Sequence, residues 1–371
     1  MNKKKKVLIC PLNWGLGHAA RCIPFVKEFI AQGAEVIIAS EGNPMAMLQL
    51  EFPSLQYINF EGYDINYGMN NNIALKMFLS IPKIIYGIYQ EHKKLNKIIN
   101  ELEIDVVISD NRFGCWNRKV TSIYITHQVM IKSNKYLKFM EGFLYYIHKS
   151  FIKKYNECWI PDLKDGNTLS GELSHKYILP TPTYYIGTLS RFNANNISTD
   201  AIDYKYDLMV ILSGPEPQRS IFEDIILNQL KDTSLKIIIV RGKPNAENKL
   251  TFINNNVTIY PHLSTDDFKD KLIKSAMIIC RSGYSTLMDL AVFGKKAILV
   301  PTPGQTEQEY LATYHCQNKH YYYMPQKDFN LKEALINSKG YTGIKLSNDT
   351  SLLKERIQRM LCSEIKIKQL K

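Results

Sequence analysis

Residues 281–310 read RSGYSTLMDLAVFGKKAILVPTPGQTEQEY. An apolar run before this stretch, Ala276–Cys280, predicts a β-strand, and the periodic apolar residues within the stretch predict a helix that Gly294 ends. A second apolar run, Ala297–Val300, predicts another strand, which a polar loop follows. A strand, a helix and a second strand are typical of a parallel sheet, and open sheets of this kind bind ligands at the carboxyl ends of their strands.

The junction between the first strand and the helix, Arg281–Thr286, has the composition of a phosphate site. Gly283 lets the backbone approach a ligand closely, and the free N–H groups and the dipole at a helix N-terminus favour an anion. One turn further, Asp289 offers a carboxylate that can accept the hydroxyls of a ribose. The stretch therefore predicts a nucleotide site.

Composition indicates a folded protein with a large core. The chain has 371 residues, of which 45% are hydrophobic and 11% aromatic. The longest apolar runs are too short to span a membrane, and the N-terminal lysines lead straight into a strand instead of a signal-peptide apolar region. We expect a cytoplasmic protein. The seven cysteines form no CxxC pair, which indicates reduced thiols in the core.

The formal net charge of +12 suits an anionic partner, such as a nucleic acid, an acidic membrane surface or a phosphorylated substrate. No zinc-finger spacing, RNP-like sequence or arginine-rich tract is found, so we expect no nucleic-acid partner. HExxH, the P-loop and GxSxG are also missing, and no Asp-x-Asp triplet offers a metal-bridged diphosphate site. We therefore predict no metal and no cofactor.

Short apolar runs alternate with helical patterns along most of the chain, which predicts parallel sheets built from βα units. The predicted strands are Val7–Cys10, Glu35–Ala39, Gln56–Phe60, Asp105–Ser109, Ser122–Thr126, Cys158–Pro161, Leu208–Leu212, Lys236–Val240, Val257–Tyr260, Ala276–Cys280 and Ala297–Val300. A polar stretch, Arg191–Tyr206, separates the two sets.

The predicted fold class is α/β, with two Rossmann-like doubly wound domains facing a cleft. The N-terminal domain would cover residues 1–190 and the second domain residues 205–350. A C-terminal helix within 351–371 is expected to pack back on the first domain.

The first predicted strand leads into Gly15-Leu16-Gly17-His18-Ala19-Ala20. This sequence satisfies the dinucleotide pattern GxGxxG/A, with Glu41 in the place of a ribose-binding acid, and by itself would indicate NAD. It also carries a histidine where a helix begins. The helix dipole disfavours a protonated imidazole there, and a neutral imidazole can act as a general base. The alternative is that His18 merely caps the turn.

Asp110 and His127 follow two other predicted strands of the first half, so both would face the same cleft. They are candidates for catalysis or for acceptor binding, although polar residues at strand ends are often only turn formers.

Two further places offer cations to a diphosphate. Arg191 lies at the predicted domain boundary, where a guanidinium fork could clamp it. Ser213, Gly214 and Arg219, after the first strand of the second half, could line the cleft with backbone N–H groups and another cation. An isolated surface arginine is the alternative for Arg191.

Residues 73–92 and 136–155 mix aromatics, aliphatics and lysines at helical spacing. Such stripes are usually the core faces of packed helices. A lysine-flanked aromatic surface would also suit peripheral contact with an anionic membrane.

Taken in this order, the motifs resemble those of GT-B glycosyltransferases, particularly the family 28 (MurG-like) branch, which contains the lipid-linked N-acetylglucosaminyltransferase of peptidoglycan synthesis. The resemblance is strongest over Arg281–Tyr310 and looser at Gly15–His18 and Gly187–Arg191. It implies that Asp289 binds the ribose of a UDP-sugar, that His18 lies near the acceptor hydroxyl, and that the donor site draws on Gly17, Arg191, Ser213, Gly214, Arg219, Arg281, Ser282, Gly283, Ser285, Thr286, Asp289, Gln308 and Glu309.

Within that implied set, Ser285, Thr286 and Arg191 would lie near the phosphates, and Gln308 and Glu309 near the sugar hydroxyls. The chain departs from the family in three places. The family usually has Glu at Asp289, a second Gln at Glu309 and a glycine-rich loop at Ser213–Arg219.

The resulting hypothesis is a metal-independent, inverting transferase. It moves a hexose or N-acetylhexosamine from a UDP-sugar to an acceptor hydroxyl, with His18 or Asp110 as the base. A basic, aromatic-rich first half fits a lipid-linked or lipopolysaccharide-type acceptor at the inner face of the cell membrane, but a soluble glycan or small molecule would fit as well.

Three alternatives remain open. A nucleotide-sugar 2-epimerase of the same fold could recruit Asp110, Glu216 and Glu309, and an NAD-dependent oxidoreductase would use Gly15–Ala20 with Glu41. A catalytically silent nucleotide-sugar sensor would bind UDP and turn nothing over. Binding of NAD rather than UDP would identify the oxidoreductase.

Overall fold

The structure is a computed structural model that describes residues 4–62, 73–133, 138–192, 203–231, 233–244, 250–347 and 349–362. Within these ranges the chain forms two seven-stranded sheets, one in each half. Parallel pairing dominates both sheets, with helices on their faces, which confirms the predicted α/β class.

The first sheet is parallel throughout, in the order β3-β2-β1-β4-β5-β6-β7. Its strands are β1 (Lys6–Pro11), β2 (Glu35–Ser40), β3 (Gln56–Asn59), β4 (Val106–Asp110), β5 (Thr121–Ile125), β6 (Glu157–Ile160) and β7 (Thr183–Tyr185). The helices of this half are α1 (Leu16–Ala31), α2 (Gly42–Glu51), α3 (Ile73–Leu102), α4 (Glu141–Ile152) and the short α5 (Glu172–His175).

The second sheet has the order β10-β11-β9-β8-β12-β13-β14, and only β10 pairs antiparallel. Its strands are β8 (Tyr206–Ile211), β9 (Ile237–Val240), β10 (Thr251–Asn254), β11 (Val257–Tyr260), β12 (Ser275–Cys280), β13 (Ala297–Leu299) and β14 (Tyr322–Tyr323). The accompanying helices are α6 (Gln218–Gln229), α7 (Thr265–Ile273), α8 (Tyr284–Phe293), α9 (Thr306–Gln317), α10 (Leu331–Asn337) and α11 (Ser351–Cys362).

Each sheet reverses its strand order at one point. In the first sheet the reversal lies between β1 and β4, where Pro11 is in register with Asp110. In the second it lies between β8 and β12, where Ile211 is in register with Cys280. A crevice opens at such a reversal beyond the carboxyl ends of the strands, and doubly wound proteins bind their ligands there.

The first sheet is covered on both faces. Val7 and Ile9 of β1 pack in one core cluster with α1, whereas Leu8 and Cys10 pack in another with α3. Tyr124 and Cys158 lie on the same face as Cys10 and pack with α4. The cluster on the α1 face continues without a break into the second half, through α8 and α11.

The C-terminal helix lies against the first half although it follows the second. Gln32 donates to the Lys354 carbonyl at 2.9 Å, Lys5 donates to the Met360 carbonyl at 3.3 Å, and Arg356 pairs with Glu157. The chain therefore crosses between the halves twice. The crossings run side by side, because a Cβ on Gly187 would meet the Asp349 carbonyl oxygen at 3.1 Å.

All eleven predicted strands are present, shifted by at most two residues, and α8 ends at Gly294 with a left-handed φ of 60°, as predicted. Three strands were not predicted: β7, β10 and β14. Each is two to four residues long and at most half-buried, so it has no continuous apolar run.

The two aromatic stripes are only partly core. The side chains of residues 73–81 and residues 136–137 lie outside the described part of the chain; in the rest of the two stripes, Ile88 of α3 and Tyr145 and Ile152 of α4 are buried. Other large apolar residues on these segments are exposed: Ile85, Tyr86, Tyr89, Phe139, Phe143 and Tyr146. In the part of the chain that the structure describes, no helix is long and apolar enough to cross a membrane.

Candidate active site

The first strand–loop–helix unit joins β1 to α1 at the sheet reversal. Gly15 has φ 130°, which glycine adopts readily and other residues do not, and α1 begins at the next residue. His18 lies in the first turn of α1. Arg21, three residues later, projects from the same side of the helix because residues i and i+3 are neighbours there.

Arg21 and Asp110 form a buried ion pair at the carboxyl edge of the first sheet. The Arg21 Nε and Nη2 atoms lie 2.8 Å and 2.5 Å from Asp110 Oδ1, and the two side chains are 2% and 0% exposed. Burial alone would raise the pKa of Asp110, but Arg21 and His18 hold the pKa below its ordinary value. Asp110 is therefore a carboxylate at neutral pH.

His18 contacts this pair and keeps part of its ring in the cleft. Its Nδ1 lies 2.9 Å from Asp110 Oδ2 and 2.7 Å from Arg21 Nη2, and its side chain is 17% exposed. Burial and the Arg21 cation lower the pKa of His18, although Asp110 opposes them. The imidazole is therefore neutral at pH 7, as a general base must be.

His127 extends the cluster toward the second half. It follows β5, and its Nδ1 lies 3.0 Å from Arg21 Nη1. Its Nε2 lies 2.7 Å from the Glu307 carboxylate, and its ring stacks on Tyr284 with centroids 4.0 Å apart. The three catalytic candidates predicted from the sequence thus lie together, and Arg21 joins them.

The second unit joins β12 to α8 at the other sheet reversal. Gly283 is the N-cap of α8, and no side chain caps the helix. Ser285, in the first turn beside Thr286, donates its hydroxyl to the Gly17 carbonyl at 2.7 Å. The two helix N-termini therefore face each other, one from each half.

Further contacts hold the halves together near these units. Tyr284 donates its hydroxyl to the Pro161 carbonyl and Thr306 donates to the Lys132 carbonyl, both at 2.7 Å. The Glu172 backbone N–H donates to the Tyr310 hydroxyl at 2.7 Å. The halves are docked in this structure.

Asp289 lies one turn into α8 and is 7% exposed. It accepts the Ser190 hydroxyl at 2.7 Å, and the Arg191 guanidinium lies within salt-bridge distance at 3.3 Å. Burial raises the pKa of Asp289, and Arg191 only partly opposes it. Arg191 itself stacks on Phe192 and Phe268.

Gln308 and Glu309, the two residues expected near the sugar, accept hydrogen bonds from the loop that follows β13. Gln308 accepts the Thr302 N–H at 2.9 Å, and Glu309 accepts the Gly304 N–H at 3.1 Å. The Ser282 hydroxyl donates to the Gln308 carbonyl at 2.7 Å, which ties this loop to the α8 unit.

Two arginines expected at the donor site are instead engaged inside the second half. Arg281 donates to the carbonyls of Val300, Pro301 and Gln218 and to the Gln326 side chain, and it stacks on Phe222. Arg219 bonds to Glu216, Glu223 and Ser220. Most of their guanidinium N–H groups are bonded within the second half, although Arg281 Nε is buried without a hydrogen-bond partner in the described residues. Ser213 and Gly214 follow β8 beside Thr302, with φ 105° at Gly214.

Three residues of the site were not predicted: Arg21, Glu307 and Tyr284. Arg21 had a detectable signal, because it is the one charged residue between His18 and Val26 in an otherwise apolar helix. Glu307 is adjacent to the predicted Gln308, but nothing in the sequence indicates contact with His127, 180 positions away.

In the NAD alternative Glu41 would be the ribose acid; in this structure one of its oxygens accepts both the Asn13 amide at 2.5 Å and the Gly62 N–H at 2.6 Å. The epimerase alternative needs Asp110, Glu216 and Glu309 in one place. Among the described residues, Asp110 bonds to Arg21 of α1, Glu216 to Arg219 of α6 and Glu309 to the Gly304 N–H, so no hydrogen-bond partner is common to the three.

Comparisons with known proteins agree with this geometry. Residues 216–340 match the glycosyltransferase family 28 C-terminal domain. An uncharacterized glycosyltransferase of Methanosarcina acetivorans is 22% identical over 330 residues, which is 82% of this chain and 81% of the relative. The UDP-N-acetylglucosamine--N-acetylmuramyl-(pentapeptide) pyrophosphoryl-undecaprenol N-acetylglucosamine transferase of Sulfurihydrogenibium sp. is 28% identical over 204 residues, or 51% of this chain and 52% of the relative.

Solved structures share the fold. Acinetobacter baumannii MurG aligns with a TM-score of 0.53 and 13% identity over 96% of this chain and 100% of its own. The spinosyn rhamnosyltransferase SpnG, complexed with thymidine diphosphate, aligns with a TM-score of 0.60 and 12% identity over 96% of each chain. The protein is thus a glycosyltransferase of the GT-B fold, and its residues 216–340 match the family 28 C-terminal domain.

Proposed function

We propose that the protein transfers a sugar from a UDP-sugar to an acceptor hydroxyl, with inversion at the anomeric carbon and without a metal ion. One observation carries the proposal: the His18–Asp110 cluster and the N-terminus of α8 face each other, and the Ser285 hydroxyl lies 2.7 Å from the Gly17 carbonyl. A proton acceptor and an anion site thus lie on opposite sides of one cleft.

His18 is the proposed base. With a hydrogen on Nδ1 donated to Asp110, its Nε2 keeps a lone pair for the acceptor hydroxyl. The acceptor oxygen attacks the anomeric carbon, the bond from that carbon to the diphosphate oxygen breaks, and the hydroxyl proton passes to Nε2. The electron pair leaves with UDP.

The leaving diphosphate gathers charge at the N-terminus of α8. This terminus has no side-chain cap, so its backbone N–H groups are available to an anion, and its dipole stabilises negative charge. The Thr286 hydroxyl adds a donor, the Ser285 hydroxyl adds a second once it turns from the Gly17 carbonyl to the diphosphate, and Arg191 is the proposed cation. In this proposal, these groups stabilise the charge that a metal ion neutralises in other transferases.

Asp289 is the proposed ribose ligand. Its carboxylate is already held by a hydroxyl, that of Ser190, and by Arg191, so it is placed and oriented for hydrogen bonding before a nucleotide arrives.

A lipid-linked glycan at the inner face of the cell membrane is the proposed acceptor. The helices α3 and α4 pack on the same face of the first sheet, and each carries exposed aromatic residues with lysines nearby in sequence: Lys83 on α3, and Lys149 and Lys153 on or next to α4. Aromatic rings flanked by lysines favour the interface of an anionic bilayer. The Sulfurihydrogenibium relative, whose name specifies an undecaprenol-linked acceptor, supports the same class.

Thermal stabilisation tests the donor. The purified protein is heated without added metal in the presence of UDP, UDP-N-acetylglucosamine, UDP-glucose, GDP-mannose or NAD. We expect UDP and a UDP-sugar to raise Tm, because a ligand that binds only the folded state stabilises it. Asp289→Asn should lose most of that shift, whereas Asp266→Asn, an exposed acid on α7, should keep it. A shift with NAD alone would overturn the proposal.

Sedimentation with vesicles tests the acceptor surface. We expect the protein to pellet with vesicles that contain anionic phospholipid, and the double variant Phe143→Ser/Tyr146→Ser to remain largely in solution. The matched control is Phe252→Ser, an equally exposed aromatic residue on β10 of the second half. Equal pelleting of all three proteins would reject this surface.

A further inference from the structure

Arg21 bonds to each of the three catalytic candidates, Asp110, His18 and His127. Its guanidinium reaches Asp110 through Nε and Nη2, His18 through Nη2 and His127 through Nη1. A guanidinium has five N–H donors and accepts no hydrogen bond. Each group that bonds to Arg21 must therefore act as an acceptor at that atom.

This constraint fixes the tautomer of His127. Its Nδ1 lies 3.0 Å from a donor and must accept, so the hydrogen of the neutral ring lies on Nε2. That hydrogen points at Glu307, 2.7 Å away. Burial would raise the pKa of Glu307, but His127, Arg21 and His18 hold the pKa below its ordinary value, so the partner of Nε2–H is a carboxylate.

Because Arg21 can only donate, two contacts of His18 Nδ1 compete with each other. Its Nδ1 lies 2.9 Å from an Asp110 oxygen, which only accepts, and 2.7 Å from Arg21 Nη2, which only donates. A neutral ring can satisfy one of these partners. With Nδ1–H bonded to Asp110, Nε2 is free to accept a proton; with Nδ1 accepting from Arg21, Nε2 carries the hydrogen and cannot act as a base.

The position of Arg21 decides between these states, and the second half holds that position. Glu307 belongs to α9, whereas Arg21 belongs to α1. His127 links them, and it is clamped on its face by Tyr284 of α8. Two elements of the second half therefore orient the imidazole that anchors Nη1 of Arg21.

We infer that Glu307, His127 and Arg21 form a relay through which docking of the second half holds His18 in its proton-accepting tautomer. Glu307 and His127 are positioning residues that act through Arg21. The link to catalysis rests on the proposed role of His18, but the tautomer coupling does not.

Removal of Glu307 breaks the relay at its outer end. Nε2 of His127 then loses its acceptor, the ring is free to turn, and Nη1 of Arg21 loses its anchor. The guanidinium, whose Nη2 already lies 2.7 Å from Nδ1 of His18, is then free to turn fully toward that nitrogen, and the His18 hydrogen moves to Nε2.

Nitrogen NMR measures this directly. The full-length protein is labelled with ¹⁵N-histidine, and long-range ¹H–¹⁵N spectra at pH 7, without ligand, distinguish protonated from unprotonated ring nitrogens. His18→Gln and His127→Gln assign the signals. We expect Nδ1–H at His18 and Nε2–H at His127 in the unaltered protein. In Glu307→Ala, the His18 tautomer ratio should change by about tenfold or more toward Nε2–H, the scale of one charge-assisted hydrogen bond.

Two variants keep the test decisive. Glu307→Gln retains an acceptor oxygen and should preserve the original tautomers, even if Glu307→Ala folds poorly. Glu309→Ala removes a carboxylate from the same helix that bonds to Gly304 instead of His127, and should leave both rings unchanged. An unaltered His18 tautomer in folded Glu307→Ala overturns the relay, as does Nδ1–H at His127 in the unaltered protein. Failure of UDP to bind would overturn the proposed function and leave this result intact.

Discussion

The β1–α1 and β12–α8 units have nearly the same backbone plan and different chemistry. Both begin with a buried strand at a sheet reversal, pass through a glycine and start a helix that no side chain caps. The first unit collects ionisable groups, namely His18, Arg21 and Asp110. The second presents the hydroxyls of Ser285 and Thr286. The shared strand–glycine–helix backbone creates two facing sites, and the side chains at each site determine its chemistry.

The buried arginines of the two units differ in the same way. Arg21 is paired with a carboxylate and two imidazoles. Arg281 has three carbonyls and an amide, and burial without a carboxylate lowers its pKa to about 10. Arg21 therefore organises charge at the cleft, and Arg281 holds loops together.

The largest effect on activity is expected when the proton acceptor of the first unit is removed and the second unit is left intact. We expect His18→Ala to lower kcat by roughly 10²–10⁴-fold, the usual contribution of a general base, with the Tm shift by UDP unchanged. In the unaltered enzyme, kcat/KM should fall at acid pH with a midpoint below 6.5, because the pKa of His18 is lowered. A His18→Ala enzyme that keeps its rate, or loses UDP binding, would show that the units do not divide the work in this way.

A second test separates the two arginines. Arg281→Met leaves the carbonyls of Val300, Pro301 and Gln218 without a donor, so we expect the free energy of unfolding to fall by about 3–5 kcal/mol. Urea unfolding measures it. Below its lowered Tm, the variant should still gain stability from UDP. If Arg281 contacted the nucleotide, the UDP effect would vanish while stability stayed near the original value.

The pH dependence of stability distinguishes a structural histidine of the first half, His148, from the proposed base His18. His148 lies on the buried face of α4, and burial lowers its pKa to about 4. His148 binds a proton near pH 6.5 in the unfolded state and only near pH 4 in the folded state. The free energy of unfolding is therefore unaffected by this residue above pH 6.5 and falls as the pH drops from 6.5 toward 4. The full loss is roughly 3 kcal/mol. Urea unfolding at pH 7 and pH 4.5 should show a shallower pH dependence for His148→Gln than for the unaltered protein, and equal slopes would reject the assignment.

The smallest effect is expected at the second unit. Ser285→Ala removes one neutral donor from a helix terminus whose backbone N–H groups remain, so UDP affinity should fall about fivefold, near 1 kcal/mol. Calorimetric titration measures it, with Ser54→Ala, an exposed residue in the turn before β3, as the control. A loss of a hundredfold would mean that the hydroxyl, and not the helix terminus, holds the diphosphate.

Most of the fold was predictable because both sheets are largely parallel and buried on both faces, so their strands, apart from the short edge strands, are continuous apolar runs. The predicted residues at strand ends, Asp110 and His127, met at one edge for the same reason. The remaining contacts of the site depend on tertiary structure. Glu307 reaches His127 only because the halves dock, and Arg281 points inward because the loop carbonyls around it need donors. Neither fact leaves a local pattern in the sequence.

The chain passes between the halves twice, and Gly187 and Asp349, which lie near these passages, are in contact. Two links at one place constrain two domains more than a single link does, because they leave fewer axes about which the domains can rotate. A constraint of this kind would favour the alignment of His127 with Glu307, which belong to different halves.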